Sequence, residues 1–202
     1  MEILYRDGEI LVCIKPAGVL SEGADSMLTR LEQQEGGAVY PVHRLDRGAA
    51  GLMVFARTKQ SAAALSADIA QGGMQKEYLA AVSGLPAPPE GRMEDYLFKD
   101  SRKNKVFCVK TLRRGAKKAA LRYRVLQTRE GVSLVRVALE TGRTHQIRVQ
   151  FASRGMPLLG DGKYGSRVKG ALMLWSCRLC FPHPKTGQEM VFERLPEWEL
   201  FR

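Results

Sequence analysis

AALRYRVLQTREGVSLVRVAL, residues 119–139, carries the fold class of this chain. Two runs, 119–127 and 132–139, flank residues 128–131, and Tyr123 and Val125 alternate against Val135 and Val137. That is the period of two expected of half-buried strands, so the stretch predicts an antiparallel hairpin. Working outward, residues 2–14 alternate weakly around Asp7-Gly8 and predict a second hairpin. Residues 52–55 (LMVF), 78–82 and 171–181 read as further strands. The clearest helix is 59–71, KQSAAALSADIAQ, stopped by Gly72-Gly73. A second helix is expected to be capped by Thr141, to carry Ile147 and Phe151 at i, i+4, and to end near Gly155. Strands outnumber helices and the hairpins are local, which predicts an α+β fold with a mixed, mainly antiparallel sheet.

The chain has 202 residues, 45% of them hydrophobic. That length suits one domain, or two small lobes sharing a core. The proline-rich stretch 84–91, GLPAPPEG, is the best place for an internal boundary. No signal peptide precedes the four cysteines, and no apolar run approaches the ~20 residues that cross a bilayer. The expectation is a cytoplasmic protein with reduced thiols. Charge is unevenly placed. Twelve of the 32 Lys and Arg residues, and one acid, lie between Lys99 and Arg129, so this segment holds the whole net charge of +11. A polyanion partner accounts for such clustering, because each neutralised phosphate releases condensed counterions. Lys105, Lys110, Arg113, Arg114, Lys117 and Lys118 are the candidate contacts to that polyanion. Tyr96, Phe98, Phe107 and Tyr123 lie in or beside them. These aromatics either stack on bases or form the buried face of strands, the reading preferred for Phe107 and Tyr123. No basic amphipathic helix points to a membrane.

The chemistry-bearing run is residues 43–52, HRLDRGAAGL. It sets one carboxylate, Asp46, between Arg44 and Arg47, with small residues at once behind it. A carboxylate beside fixed cations favours its charged form, and small neighbours let a substrate approach. The pattern fits a nucleophile; it equally fits a surface loop with a solvated ion pair. Cys177 and Cys180 with His183 are a poor metal site, because a full site needs four ligands and residues three apart on a strand face opposite sides. No metal is expected.

These residues, with the segment 140–165 (ETGRTHQIRVQFASRGMPLLGDGKYG), resemble the RluA-type pseudouridine synthase family. The family's HRLD, small-residue run and Gly-Leu stand here as His43 to Asp46 with Gly51-Leu52. Its TGRTHQIR is Thr141 to Arg148, and its Gly-x-Pro, Gly-Asp and Tyr-Gly are Gly155-Met156-Pro157, Gly160-Asp161 and Tyr164-Gly165. Lys15-Pro16-Ala17-Gly18, the Lys76 to Ala80 stretch and Phe181-Pro182-His183-Pro184 match further motifs in the same order. The resemblance spans roughly residues 3 to 195, on both sides of the proline-rich loop. It therefore implies a single catalytic domain over 1–202 without a separate N-terminal RNA-binding module. The implied fold is a curved sheet with helices and loops around a central cleft.

The implied activity is isomerisation of uridines in structured RNA, ribosomal or transfer, by a monomer that uses no cofactor, nucleotide cofactors included. By resemblance Asp46 is the catalytic carboxylate, Arg143 the arginine that pairs with it, and Tyr78 the tyrosine that stacks on uracil and moves the C5 proton. Arg143 otherwise reads as a helix-start cation, and Tyr78 as an ordinary strand aromatic. Arg44 either helps displace the flipped nucleotide or contacts phosphate. His43 either touches substrate or packs to hold the loop. Lys15 reads as a loop or phosphate residue. Ala49-Ala50, Gln150 and Trp175-Ser176 depart from the family's common Thr-Ser, His and His-Ala. The rival readings are a non-catalytic RNA-binding protein that keeps the fold, and a base-removing glycosidase or nuclease.

Overall fold

Asp7 closes the first turn of the chain. Its Oδ1 accepts the amides of Glu9 and Ile10 at 2.7 and 2.8 Å, so the carboxylate substitutes for the missing backbone bonds of a tight reversal. In the computed structural model, which describes residues 1–201, this turn joins strand β1 (Ile3–Arg6) to β2 (Ile10–Lys15). Next come helix α1 (Met27–Glu35), β3 (Tyr40–Pro41), β4 (Ala50–Ala56), α2 (Lys59–Gln71), β5 (Gln75–Ser83) and β6 (Glu90–Asp100). The chain continues through β7 (Lys105–Val109), β8 (Ala116–Arg129), β9 (Val132–Leu139), α3 (Gln146–Ala152), β10 (Leu174–Pro182) and β11 (Glu189–Glu193). Backbone contacts divide it into two compact units. The first holds residues 1–76 and 175–196, the second 77–174 and 197–201. The proline-rich loop 84–91 thus lies inside the second unit and is no boundary.

In the first unit β1 pairs with β2 and β2 with β4, both antiparallel, while β10 runs parallel to β4 and antiparallel to β11. Leu52 to Ala56 are all buried, as expected of a strand flanked on both edges. Ile10, Val12, Leu52, Val54, Leu65, Leu179 and Phe181 form the core. Gly51 lets β4 meet β10: a Cβ there would stand 2.3 Å from the Ser176 carbonyl oxygen, and its φ is +111°. Only glycine satisfies both conditions. Helix α1 begins with a reciprocal capping box between Ser26 and Thr29 and stops at the left-handed Gly36.

The second unit is antiparallel throughout its ladder β5-β9-β8-β6-β7. Tyr123 faces Val137 and Val125 faces Val135, as the alternation requires, and Tyr78 stands on the other side of Val137. The mixed, mainly antiparallel α+β class is therefore the one observed. The expected Thr141 cap is not. Helix α3 starts five residues later, after His145 in a left-handed conformation, φ 53°. The Thr141 hydroxyl instead donates to Gln146 Oε1 at 2.7 Å and accepts the Ala120 amide at 3.0 Å. A side-chain acceptor and a strand end have taken the group that was to cap the helix.

Candidate active site

Asp46 is half-buried on the loop that enters β4, and its carbonyl accepts the Ala49 amide at 3.1 Å. The residues either side of it are held by the segment that follows β2. On one side, buried Ser21 brackets Leu45: its hydroxyl donates to the Leu45 carbonyl and accepts the Leu45 amide, each at 3.0 Å. On the other, the Arg47 carbonyl accepts the Gly18 amide at 2.8 Å and Lys15 Nζ at 3.2 Å. Arg47 Nε returns a bond to the Gly18 carbonyl at 2.9 Å. Lys15 is 0% exposed. Its ammonium also donates to the Val19 and Pro16 carbonyls at 2.7 and 2.9 Å, which accounts for all three of its protons. Burial pulls the Lys15 pKa down to about 8, against the upward pull of Asp46. Lys15 is thus no phosphate contact. It is a buried strut under the carboxylate loop, and a cation placed close enough for Asp46 to act on it.

His43 holds the same loop against β4, its Nε2 accepting the Val54 amide at 3.0 Å. Accepting at Nε2 puts the neutral ring's proton on Nδ1, which is buried with no hydrogen-bond partner among the described residues. Burial first, then the charge of Lys76, pushes the His43 pKa down to about 3, so the ring is neutral at physiological pH. Arg44 is exposed. His43, Arg44, Asp46 and Lys15 all belong to the first unit.

Tyr78 and Arg143 belong to the second. Tyr78 lies on β5 and is 6% exposed. Arg143 is exposed on the loop between β9 and α3. Its Nε donates to the Lys118 carbonyl at 2.9 Å and its amide to Gln146 Oε1 at 3.0 Å. Buried Gln146 is the hub of this loop, because its Nε2 also donates to the Ala120 carbonyl at 2.9 Å. The loop's strained residue, His145, is tied to Tyr164, whose hydroxyl lies 2.8 Å from His145 Nδ1 and accepts the Val106 amide at 3.0 Å. Arg148 and Asp161 form a buried two-pronged pair at 2.7 and 2.9 Å. The motif stretches 141–148 and 160–165 are therefore one framework that presents Arg143. Ser21 gave no signal in the sequence and Gln146 none beyond its place in the 141–148 motif, since a buried hydroxyl or amide becomes a clamp only once distant backbone folds onto it.

Of the basic candidates, Lys110, Arg113, Arg114, Lys117 and Lys118 are exposed, and Lys105 is half-buried. Lys118 pairs with Glu94 at 2.8 Å. All six are in the second unit with Arg143. The positions that depart from the family pattern are structural here. Gln150 Nε2 donates to Asp95 at 2.7 Å, Trp175 Nε1 donates to the Arg194 carbonyl at 2.7 Å, and Ser176 is buried where β10 passes Gly51. Among the described residues no group of three or more His, Cys, Asp or Glu gathers at metal-binding range. His183 Nε2 meets Asp7 at 2.9 Å instead.

The α+β fold thus carries a braced aspartate loop in its first unit and a braced arginine loop in its second. The family model described as RNA pseudouridylate synthase matches residues 9–153. The dual-specificity RNA pseudouridine synthase RluA of Yersinia pestis is 34% identical over 206 residues, 96% of this chain and 98% of that one. Its namesake from Escherichia coli K12 is 35% identical over 209 residues, 95% and 91% of the two chains. The solved structure of human RNA pseudouridylate synthase domain containing 1 superposes with a TM-score of 0.84 at 23% identity, over 96% of this chain and 83% of that one, which speaks for the fold. This chain belongs to the RNA pseudouridylate synthase family, of the RluA type. It is an RNA pseudouridine synthase, and so an isomerase.

Proposed function

We propose that the chain isomerises specific uridines in structured RNA, ribosomal or transfer, in the cytoplasm, as a monomer, with Asp46, Tyr78 and Arg143 as its catalytic residues. The observation that carries the assignment is the bracing of the Asp46 loop by Ser21, Gly18 and buried Lys15. A carboxylate on a merely solvated loop needs no buried ammonium beneath it. The names of the relatives, two of them dual-specificity enzymes, support ribosomal and transfer RNA alike.

The reaction balances within the nucleoside. The C1′–N1 bond breaks, the uracil turns, and a C1′–C5 bond forms; C5 gives up its proton and N1 takes one. No electrons are gained or lost, so the chemistry calls for no redox partner and no nucleotide cofactor. The uridine must leave its stack to be reached. Asp46 serves as nucleophile or as acid–base group at the sugar or the ring. Tyr78 stacks on the uracil and carries the C5 proton, and Arg143 supplies fixed positive charge to the reacting centre. Exposed Arg44 fills the space of the displaced nucleotide, and His43 serves the site through the loop it supports. Lys105, Lys110, Arg113, Arg114, Lys117 and Lys118 hold the RNA backbone.

The test is tritium release from C5-labelled uridine in ribosomal and transfer RNA transcripts, with carbodiimide mapping of the product. Wild-type protein releases tritium and retains RNA mass, while Asp46→Asn releases none. Tyr78→Phe retains RNA binding and loses turnover. An active Asp46→Asn variant, or release of free uracil, overturns the assignment.

A further inference from the structure

The outer face of the β6–β7 hairpin carries a group the catalytic residues do not use. Side chains alternate across a strand. Leu97 and Val106 point inward, into a cluster with Ala119, Val149 and Tyr164. Their neighbours Phe98 and Phe107 therefore occupy the opposite face, directly across from each other and half-buried. Three cations rim the pair. The guanidinium carbon of Arg113 lies 4.3 Å from the centre of the Phe98 ring, and Lys103 and Lys105 Nζ each lie 5.9 Å from the centre of the Phe107 ring. The loop that brings Arg113 over Phe98 is held in that place. The Ala116 amide donates to the Arg113 carbonyl at 2.9 Å. Gly115, at φ +84°, sits so close beneath that a Cβ would meet the Phe98 ring at 3.4 Å.

The sequence favoured Phe107 as a buried strand residue; it lies on β7 half-buried, with two lysine ammonium groups near its ring. An apolar protein partner would cover the rings but bury the cations without counter-charge. A paired RNA helix offers phosphates but keeps its bases stacked inside. Unpaired nucleotides supply a planar base and a phosphate at every step, which matches rings and cations together. We infer that Phe98 and Phe107, with Arg113, Lys103 and Lys105, form a stacking platform for unpaired nucleotides of the RNA substrate other than the reacting uridine. The inference rests on the RNA-modifying role proposed above. Arg113 already lies against one ring, and the far side of its guanidinium plane offers a base a second flat surface. The enzyme then selects RNA in which a loop or bulge accompanies the target.

The experiment measures binding of wild type, Phe107→Leu, Phe98→Leu and Phe107→Tyr to two labelled RNAs of equal phosphate number, an oligoadenylate strand and a blunt-ended, fully paired duplex of two strands. Leucine keeps apolar volume and removes the π surface. Each Leu variant should weaken oligoadenylate binding about tenfold and leave the duplex within about twofold, with the salt dependence unchanged because no phosphate contact is lost. Phe107→Tyr should retain wild-type affinity for both RNAs. Thermal melts show that the variants are folded; if Phe98→Leu is not, the Phe107 pair carries the test. Unchanged oligoadenylate affinity in Phe107→Leu, or equal losses on both RNAs, overturns the platform. Oligoadenylate has no uridine, so binding is read apart from turnover. A wild type that stacks adenylate but makes no pseudouridine sinks the catalytic reading alone. A wild type that makes pseudouridine without any ring effect sinks the platform alone.

Discussion

Lys15→Met is the sharpest test of how the carboxylate loop is held. Methionine keeps most of the buried stem and deletes the ammonium, whose bonds to the Pro16, Val19 and Arg47 carbonyls are 2.9, 2.7 and 3.2 Å long. The Arg47 carbonyl still has the Gly18 amide at 2.8 Å; the other two lose the donor described here. Each of these partly buried acceptors costs up to about 1–3 kcal/mol when it loses the donor. Relief from burying a cation returns part of that, so the net loss is about 1–3 kcal/mol. For a chain of this size that lowers Tm by about 3–10 °C. The loop should then wander, and misplacing a catalytic group by about 1 Å costs on the order of 100-fold in rate. RNA affinity should stay within about twofold, because a residue that is 0% exposed makes no phosphate contact. The assays are thermal denaturation, single-turnover tritium release and anisotropy with labelled RNA. Wild-type Tm together with wild-type turnover refutes the reasoning. So does a variant that loses RNA affinity while its turnover rate at saturating RNA is intact, which would restore the phosphate reading.

Gly51→Ala should cost about 3 kcal/mol or more, from positive φ and from collision with the Ser176 carbonyl together; a Tm equal to wild type would contradict the close β4–β10 approach. Asp161→Asn removes the carboxylate charge from the buried two-pronged pair with Arg148 and should destabilise by about 3–5 kcal/mol, read by denaturant titration, with Arg148→Met,Asp161→Leu losing less than Asp161→Asn alone. Asp7 contributes to the acid limb of stability. Burial raises its pKa, but the amides of Ile10 and Glu9, with Tyr5 and His183, outweigh that and hold it at about 2 against an ordinary 3.8. A depressed carboxyl stabilises the fold above its unfolded pKa and loses that contribution as pH falls toward the folded value. Asp7→Asn should therefore cost about 1–2 kcal/mol at neutral pH, after discounting for its partial exposure, and flatten the loss of Tm between about pH 4 and 2. Parallel Tm curves for variant and wild type would show that Asp7 does not control it.

The hairpin at residues 119–139 was legible because period-two alternation is a local property, and Tyr123 and Val125 meet Val137 and Val135 as it requires. Asp46, Tyr78 and Arg143 were named from motif order rather than from any contact. Helix α1 was not, because only Met27 and Leu31 of its nine residues are buried, too few to print a helical period. The 90–109 hairpin hid for a related reason: its charged residues interrupt the alternation, and its outer face carries half-buried Phe98 and Phe107. Thr141 misled because its hydroxyl satisfies a strand end and Gln146, so the helix begins at an unusual left-handed histidine instead. The reversal at Lys15 has the same origin. A lysine in a loop motif looks solvated until three carbonyls from folded backbone close around it.

The Ser21 bracket has one more implication. The bonds that shape the loop engage the backbone of Leu45 and Arg47, not the side chain between them. These backbone bonds do not run through the carboxylate, so Asp46→Asn should spare them. A chemically silent version of this protein would then still seize its RNA, and could serve as bait to recover the natural target from cells.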